Sequence, residues 1–467
     1  MGHQFHSTIL REYDIRGIID ETLSADDARA IGRTFGSMLR EAGGSRVAVG
    51  YDGRISSPML EEALVEGLTA SGCDAIRIGL SATPMLYYAE ASAEDVHGGI
   101  QITGSHNPPN YNGFKMVMQG RPFFGKDILA LGERAAAGQL LDGAGSTEER
   151  EVLGEYVARM LTALDGTDAS RLEGLRIGWD AGNGSAGPAL EQLAALLPGE
   201  HHLLFTEVDG HFPNHHPDPT VEANLEDLRR LVAEKNLDFG VAFDGDGDRI
   251  GAIDGQGRVI WGDQLLMIYA EDVLSRHQGA TVIADVKASR ALFDHVSAHG
   301  GTPLMWKTGH SLIKSKMKET GSPLAGEMSG HVFFADEYYG FDDALYAGVR
   351  LIAATARLGK SVTDLRSAMP DMANTPEMRF QVDEARKFAA IEEIAARIAA
   401  SDAVADTTDG VRVSNADGWW LLRASNTQDV LVARAESDSD EGLERLVAQI
   451  DEQLELSGLE RGESVGH

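Results

Sequence analysis

A serine, a histidine and a lysine lie close together in residues 103–115, a stretch rich in proline, asparagine and glycine. The apolar run 98–102 before it is typical of a buried strand, and the turn residues favour a loop after it. We therefore predict that Ser105 stands at a strand end on an exposed loop, beside His106 and ten residues before Lys115. A hydroxyl becomes a nucleophile when a base, cation or metal activates it. Taken alone, the stretch also fits a purely structural turn.

Three aspartates alternate with glycines directly after the apolar run 239–243. They are Asp244, Asp246 and Asp248. Because glycine lets the backbone fold tightly, the carboxylates can gather into an all-oxygen site for a hard cation. An EF-hand loop needs glycine at its sixth position, where this chain has Arg249, so the pattern favours Mg²⁺ with room for a phosphate oxygen. Arg249 then suits a substrate phosphate; a solvated acidic turn is the alternative.

Two later loops carry groups suited to a sugar phosphate. In 326–331, Glu327 and Ser329 suit vicinal hydroxyls, and His331 could move protons near neutral pH. The loop 423–428 offers a guanidinium, hydroxyls and an amide, which could hold a phosphate. Its candidate residues are Arg423, Ser425, Asn426 and Thr427. In isolation, each loop also fits an ordinary turn.

Two basic stretches suit anions as well. Arg16 precedes Gly17 at a predicted turn, and a planar guanidinium binds phosphate through two hydrogen bonds. Residues 307–311 open a predicted helix, and the N–H groups of a helix start can face an anion.

Composition limits the class of protein. A chain of 467 residues exceeds the size of one core, so we expect three or four domains. A net charge of −32 argues against nucleic acid or an anionic membrane as a partner, although a cleft can still bind a small anion. No apolar run is long enough for a bilayer, and residues 1–6 lack a secretory signal. The single cysteine, Cys73, forms no internal disulfide and fits a cytoplasmic location.

An alternating pattern of strands and helices must position these loops. Predicted strands at 46–51, 175–179 and 281–284 each run into an aspartate and then a loop that feeds a helix. We predict three related α/β units with mostly parallel sheets, whose strand ends are where ligands bind. From about residue 374, the order strand, helix, three strands, helix predicts a small α+β domain.

Together the loops resemble the α-D-phosphohexomutases, within them the bacterial phosphomannomutase/phosphoglucomutase branch. The resemblance rests on residues 13–17, 103–115, 244–249, 326–331 and 423–427. It implies three topologically similar mixed α/β domains plus a smaller C-terminal α+β domain around a central cleft. We place the domains at residues 1–153, 154–256, 257–370 and 371–467.

The resemblance also implies a role for each motif residue. Ser105 is similar to the family's phosphoserine, whose phosphate joins the three aspartates as a Mg²⁺ ligand. The implied catalytic residues are Ser105, Arg16, Lys115, His331 and the neighbouring His106. The implied substrate-binding residues are Tyr13, Arg249, Lys287, His310, Glu327, Ser329, Arg423, Ser425, Asn426 and Thr427.

The implied activity is reversible phosphoryl transfer between C1 and C6 of mannose and glucose phosphates. It runs through a hexose 1,6-bisphosphate such as glucose 1,6-bisphosphate, with Mg²⁺ as cofactor and hexose phosphates as the only partners, in a monomer or dimer. One departure is Gln428-Asp429, where many relatives carry proline, so we expect a looser backbone there.

Three alternatives stay open on the sequence. A phosphoglucosamine mutase would share these motifs. An aspartate-based sugar phosphatase could use Asp244 as nucleophile and Asp246 as acid. A non-catalytic sugar-phosphate or metal-binding protein would need neither serine chemistry nor turnover.

Overall fold

Four sheets of seven, five, four and six strands follow one another along the chain in the computed structural model, which describes residues 2–426 and 428–462. Helices accompany each sheet, so the predicted fold class, three mixed α/β domains and a C-terminal α+β domain, is confirmed. None of the helices within the described residues is long and apolar enough to cross a membrane.

The first sheet is mixed, and four helices accompany it. Its elements are β1 (Ile15–Ile18), α1 (Ala25–Glu41), β2 (Arg46–Tyr51), α2 (Ser57–Ala70), β3 (Asp74–Leu80), α3 (Thr83–Ala91), β4 (Gly98–Ile102), β5 (Tyr111–Met118), β6 (Arg121–Pro122), α4 (Lys126–Ala137) and β7 (Thr147–Glu149). The strand order is β1-β5-β4-β2-β3-β7, with β6 beside β5. The β2, β3, β4 and β7 strands are parallel, but β5 returns antiparallel to β4 because the loop between them is too short for a crossover.

The second and third sheets combine a parallel centre with antiparallel strands. The second unit contains α5 (Leu153–Leu161), α6 (Ala169–Leu172), β8 (Arg176–Asp180), α7 (Gly187–Leu196), β9 (Glu200–Leu204), α8 (Glu226–Lys235), β10 (Phe239–Phe243), β11 (Ile250–Asp254) and β12 (Val259–Ile260). The third contains α9 (Gly262–Arg276), β13 (Thr281–Asp285), α10 (Arg290–Ala298), β14 (Thr302–Trp306), α11 (His310–Thr320), β15 (Leu324–Gly326), β16 (Val332–Phe334), α12 (Ala344–Leu358) and α13 (Val362–Ser367). Their strand orders are β12-β11-β10-β8-β9 and β14-β13-β15-β16.

The C-terminal sheet is antiparallel. Its elements are β17 (Ala373–Asn374), β18 (Met378–Gln381), α14 (Glu384–Ala399), β19 (Val404–Asp406), β20 (Val411–Asn415), β21 (Gly418–Ala424), β22 (Val430–Ser437) and α15 (Asp440–Glu455). The sequence missed β17 and β19. They are two and three residues long, and β19 is fully exposed, so neither shows a hydrophobic alternation.

Helix α12 joins the second and third units into one core. It is buried along most of its length, and Gly348 lets it approach the Trp179 ring, where a Cβ would lie 2.9 Å from a ring carbon. The C-terminal domain instead has a core of its own, with Trp420 packed among Leu446 and Ile450. A separate core allows this domain to move against the rest as a body.

Candidate active site

Ser105 lies in the connection between β4 and β5, where the sequence predicted it, but the predicted exposure is wrong. The side chain is only 2% exposed, because the Asp244 loop of the second unit packs against it. Gly245 permits this approach, since a Cβ there would lie 2.4 Å from the Ser105 carbonyl oxygen. The Ser105 backbone is left-handed, with a φ of 49°. Such strain persists only where the surroundings fix the chain.

Arg54 supplies that constraint from the loop after β2. Its buried guanidinium donates hydrogen bonds to four carbonyl oxygens of the serine loop. These belong to Ser105 (2.8 Å), Asn107 (2.6 Å), Pro108 (2.6 Å) and Tyr111 (3.1 Å). Asp52 accepts from the Arg54 Nε at 3.1 Å and from the Gly104 N–H at 3.0 Å. Arg54 is not among the residues predicted for the site, although its place just beyond a strand end was a usable signal.

Replacing Arg54 with lysine tests whether its four hydrogen bonds hold the serine loop in place. An ammonium cannot reach four carbonyls at once, so we expect the free energy of unfolding to fall by about 3 kcal/mol or more. Misplacement of the serine should lower kcat by about 100-fold while KM changes less. Thermal unfolding and steady-state kinetics measure both effects. Arg121→Lys is the control, because Arg121 is 53% exposed and its one ion pair among the described residues is with Asp127. Equal losses of stability and of kcat in the two variants would contradict this role of Arg54.

The three aspartates lie under the serine at the end of β10. All are fully buried, and ligand atoms of Asp244, Asp246 and Asp248 lie within 4.8 Å of one another. Asp244 Oδ2 accepts from Ser105 Oγ at 3.0 Å, while its Oδ1 accepts the N–H groups of Asp248 and Arg249, both at 3.1 Å. Burial, and then the two neighbouring carboxylates, raise the pKa of Asp244 well above its usual range.

These residues fit a divalent cation. Asp246 Oδ1 is buried and has no hydrogen-bond partner among the residues that the structure describes. A buried, unpartnered carboxylate oxygen is costly unless a cation binds it. The cluster is therefore an acidic metal-binding site.

Positive groups face the carboxylates from several directions. The Lys115 ammonium lies 2.8 Å from Asp246 Oδ2 and also contacts Asp248. His331 Nε2 lies 3.3 Å from Asp248 Oδ1, and Arg249 Nε lies 4.0 Å from Asp244 Oδ2. Burial alone lowers the pKa of His331, but the Asp248 and Glu327 carboxylates outweigh it and raise the value to about 9.

Two of the basic residues lie on strands rather than on the predicted loops. Lys115 is in β5, because that strand already begins at Tyr111, and Arg16 is in β1 instead of a turn. The β1 strand pairs with β5, with Arg16 opposite Gly113. Both side chains line the same cleft as Ser105.

The loop between β15 and β16 supplies the opposite wall. Glu327 accepts from the Gly309 N–H at 2.6 Å, at the start of α11. His331 Nδ1 lies 3.0 Å from Ser329 Oγ and 3.3 Å from Glu327 Oε2. The His310 ring stacks on His331 at 5.5 Å, and burial lowers the pKa of His310 well below its usual range.

The loop after β21 closes the cleft from the C-terminal domain. Arg423 donates to Asp409 at 3.0 Å. Asn426 donates to the Tyr13 hydroxyl at 2.7 Å, and this hydroxyl donates to the Thr308 carbonyl at 2.7 Å. Thr427 lies outside the described residues. The last domain therefore contacts the first through Asn426, and it contacts the third through Asp409, which accepts from the Thr308 N–H at 3.1 Å.

Gln428 and Asp429, which stand where many relatives carry proline, are held by side chains of the C-terminal domain. Lys387, which is buried, donates to the Gln428 carbonyl at 2.9 Å and lies 3.8 Å from Asp429 Oδ1. Arg379 donates to the Gln428 side chain at 3.0 Å. These contacts hold the segment where the sequence predicted a looser backbone.

One cleft of about 550 Å³ collects the candidates. Of the predicted catalytic and substrate-binding residues, those within the described chain all line it. They are Tyr13, Arg16, Ser105, His106, Lys115, Arg249, Lys287, His310, Glu327, Ser329, His331, Arg423, Ser425 and Asn426. Lys287 also pairs with Glu377 of the last domain at 2.8 Å. A volume of this size suits a small ligand.

Known proteins match this chain along its length. Models of phosphoglucomutase/phosphomannomutase alpha/beta/alpha domains I, II and III match residues 7–140, 154–257 and 261–372, and the C-terminal domain model matches 377–453. The phosphomannomutase/phosphoglucomutase of Pseudomonas aeruginosa is 45% identical over 448 residues, which is 96% of each chain. The chain belongs to the phosphoglucomutase/phosphomannomutase family.

Two further relatives agree. The phosphoglucomutase of Neisseria gonorrhoeae is 42% identical over 443 residues, covering 94% of this chain and 95% of its own. A crystal structure of a phosphoglucomutase/phosphomannomutase family protein from Burkholderia thailandensis superposes with a TM-score of 0.91 at 42% identity. It covers 99% of this chain and 100% of that one. The shared fold therefore extends over all four domains.

This member of the phosphoglucomutase/phosphomannomutase family also brings to the cleft arginines that the sequence did not indicate. Arg11, Arg379 and Arg434 line it together with the predicted residues. Arg379 and Arg434 lie within β18 and β22, where a lone arginine forms no local motif. Basic side chains are thus abundant in the cleft, although the chain as a whole carries a net charge of −32.

Proposed function

We propose that this chain interconverts the 1-phosphates and 6-phosphates of mannose and glucose through a phosphoserine at Ser105. The observation that carries the proposal is the position of the Ser105 hydroxyl. It lies 3.0 Å from Asp244 and 3.1 Å from His106, at the base of a cleft lined with cations. The relatives named for this activity support it.

In the first step, the free C6 hydroxyl of a hexose 1-phosphate attacks the phosphorus carried by Ser105. One P–O bond forms to O6, the bond to Ser105 Oγ breaks, and the proton that leaves O6 is passed on to Oγ. His106 Nδ1 is 3.1 Å from Oγ and suits that delivery. In the second step, Ser105 takes the C1 phosphoryl group from the hexose 1,6-bisphosphate and releases the 6-phosphate.

Phosphoryl transfer depends on position and on neutralising charge more than on covalent chemistry. Lys115, Arg249 and Arg16 reach the cleft near Ser105 and suit the oxygens of the moving group. Mg²⁺ held by Asp244, Asp246 and Asp248, with an oxygen on Ser105, would add further charge neutralisation when bound. Lys115 and His331, which already contact Asp248, orient that carboxylate.

The far wall would recognise the sugar. We assign Glu327 and Ser329 to its hydroxyls, and Arg423, Ser425, Asn426 and Thr427 to the phosphate that does not react. Because the bisphosphate must turn end for end, this phosphate site has to accept either phosphate. Closure of the C-terminal domain through Asn426 and Tyr13 would exclude water that hydrolyses the phosphoserine.

Sugar specificity and the acceptor residue can be tested together. The purified protein is incubated with Mg²⁺, a trace of bisphosphate, and mannose, glucose or glucosamine 1-phosphate. We expect turnover of the first two sugars, and peptide mass spectrometry should place an acid-stable phosphate on Ser105. A strong preference for glucosamine 1-phosphate would overturn the substrate assignment. An acid-labile phosphate on Asp244 would instead favour the phosphatase.

We also infer a cytoplasmic location, consistent with Cys73 being the sole cysteine and buried. A monomeric or dimeric state and domain boundaries after residues 153, 256 and 370 stay predictions.

A further inference from the structure

Two histidines and a glutamate meet on the surface of the third domain, away from the cleft. His295 lies in α10, His299 caps its end, and Glu271 comes from the neighbouring α9. One ligand atom from each lies within 4.8 Å of the other two. Residues four apart share a helix face. The start of α10 follows Lys287 at the cleft, so His299 lies about 13 Å further along the helix.

Hydrogen bonding prepares His299 as a ligand. Its Nδ1 lies 2.9 Å from the His295 carbonyl oxygen, which can only accept, so Nδ1 carries the proton. In that tautomer the lone pair is on Nε2, which lies 4.0 Å from Glu271 Oε2. A backbone carbonyl bonded to the second ring nitrogen is the usual support of a metal-binding histidine.

His295 provides the second nitrogen. One of its ring nitrogens lies within 4.8 Å of the ligand atoms of His299 and Glu271, and its buried Nε2 has no hydrogen-bond partner within the described part of the chain. Burial, helped by His299, lowers the pKa of His295 to about 4, so this ring is neutral at physiological pH. Its ring centre lies 4.1 Å from that of His299.

Glu271 provides an oxygen. Lys360 donates to its Oε1 at 2.7 Å, and Oε2 lies 4.0 Å from His299 Nε2. The Glu271 side chain is 16% exposed and the His299 side chain 37%, so an ion can enter from solvent.

We propose that Glu271, His295 and His299 bind one divalent transition-metal ion such as Zn²⁺. Two imidazoles and a carboxylate suit zinc, cobalt or nickel, whereas Mg²⁺ prefers oxygen ligands. Ligand atoms around a tetrahedral zinc lie roughly 3.3 Å apart, so His299 and Glu271 need to approach by less than about 1 Å. The ion would cross-link α9 to α10, and its fourth coordination position would have no protein ligand.

Cobalt binding tests the site in the full-length protein. The chain is stripped with a chelator and titrated with Co²⁺ in excess Mg²⁺, which keeps the aspartate cluster occupied. Visible absorption and calorimetry should show one Co²⁺ per chain that Mg²⁺ does not displace. The double variant His295→Gln/His299→Gln should lose it, and Glu271→Gln should weaken it at least about 10-fold. Mutase activity should not change in either variant.

The cleft needs its own control, because Asp248, His331 and Asp342 could also gather around an ion. The variant His331→Gln should keep the Co²⁺ signal, as should His211→Gln at an exposed site elsewhere. Identical titrations of wild type and double variant, or loss of the signal in His331→Gln alone, would overturn the proposal. If the double variant does not fold, the single variant His299→Gln, at a partly exposed position, decides in the same way.

Discussion

Replacing Ser105 with alanine is expected to lower kcat/KM for glucose 1-phosphate by at least about 10,000-fold. The change removes the oxygen that carries the phosphoryl group, and the cleft offers no other hydroxyl between Asp244 and His106 in the described chain. Added hexose 1,6-bisphosphate should not restore turnover, because it has no acceptor to return its phosphoryl group to. A coupled assay with and without the bisphosphate measures the effect.

The variant should fold normally. Arg54 binds the backbone carbonyl of Ser105 rather than its hydroxyl, and alanine keeps the Cβ, so the left-handed backbone costs about the same. Ser297→Ala on α10 is the control, since the one hydrogen bond of that hydroxyl to a described residue goes to the Phe293 carbonyl. Turnover at the wild-type rate by Ser105→Ala, with no bisphosphate added, would refute the phosphoserine.

The sequence was sufficient to indicate the candidate residues that line the cleft because each motif is local. Glycines between Asp244, Asp246 and Asp248, and the turn residues around Ser105, show in a few consecutive residues that these segments leave regular structure. The aspartates after the predicted strands 46–51, 175–179 and 281–284 indicated three α/β units with ligand-binding strand ends, and the resemblance to the α-D-phosphohexomutases implied one central cleft. For these reasons the fold class and the membership of one cleft could be predicted.

What the sequence did not reveal depends on contacts between distant segments. Arg54 binds carbonyls more than 50 residues away, and Asn426 meets Tyr13 across 413 residues. No local pattern encodes such pairs. Ser105 was predicted to be exposed for the same reason, because the loop that covers it belongs to another domain. Arg16 was assigned to a turn because β1 has only four residues and contains Gly17, and Lys115 was assigned to a loop because Asn112 and Gly113 near the start of β5 favour turns.

Replacing Asp244 with asparagine is expected to remove Mg²⁺-dependent stabilisation and to lower kcat by at least about 100-fold. Without metal, however, the variant should melt at the same temperature as the wild type or higher. Lys115 lies between Asp246 and Asp248, whereas the cationic side chain nearest to Asp244 in the described part of the chain is Arg249, 4.0 Å away. Asparagine keeps an oxygen for the two backbone N–H groups and removes a buried charge that its neighbours repel. Thermal unfolding with and without Mg²⁺ measures both effects: the lost stabilisation by Mg²⁺, and the equal or higher melting temperature of the variant in its absence.

Asp254→Asn is the matched control, because Asp254 is equally buried but pairs with Arg258 at 2.6 Å. Breaking that pair should lower the melting temperature and leave both the response to Mg²⁺ and the activity intact. Comparing the two variants distinguishes the loss of a carboxylate that its neighbours repel, at Asp244, from the loss of one that is paired with an arginine, at Asp254. If Asp244→Asn melts lower than the wild type without metal and still gains stability from Mg²⁺, the carboxylates serve the fold rather than a cation. In the proposed transfer, Lys115, Arg249 and Arg16 alone would then have to neutralise the charge on the moving phosphoryl group.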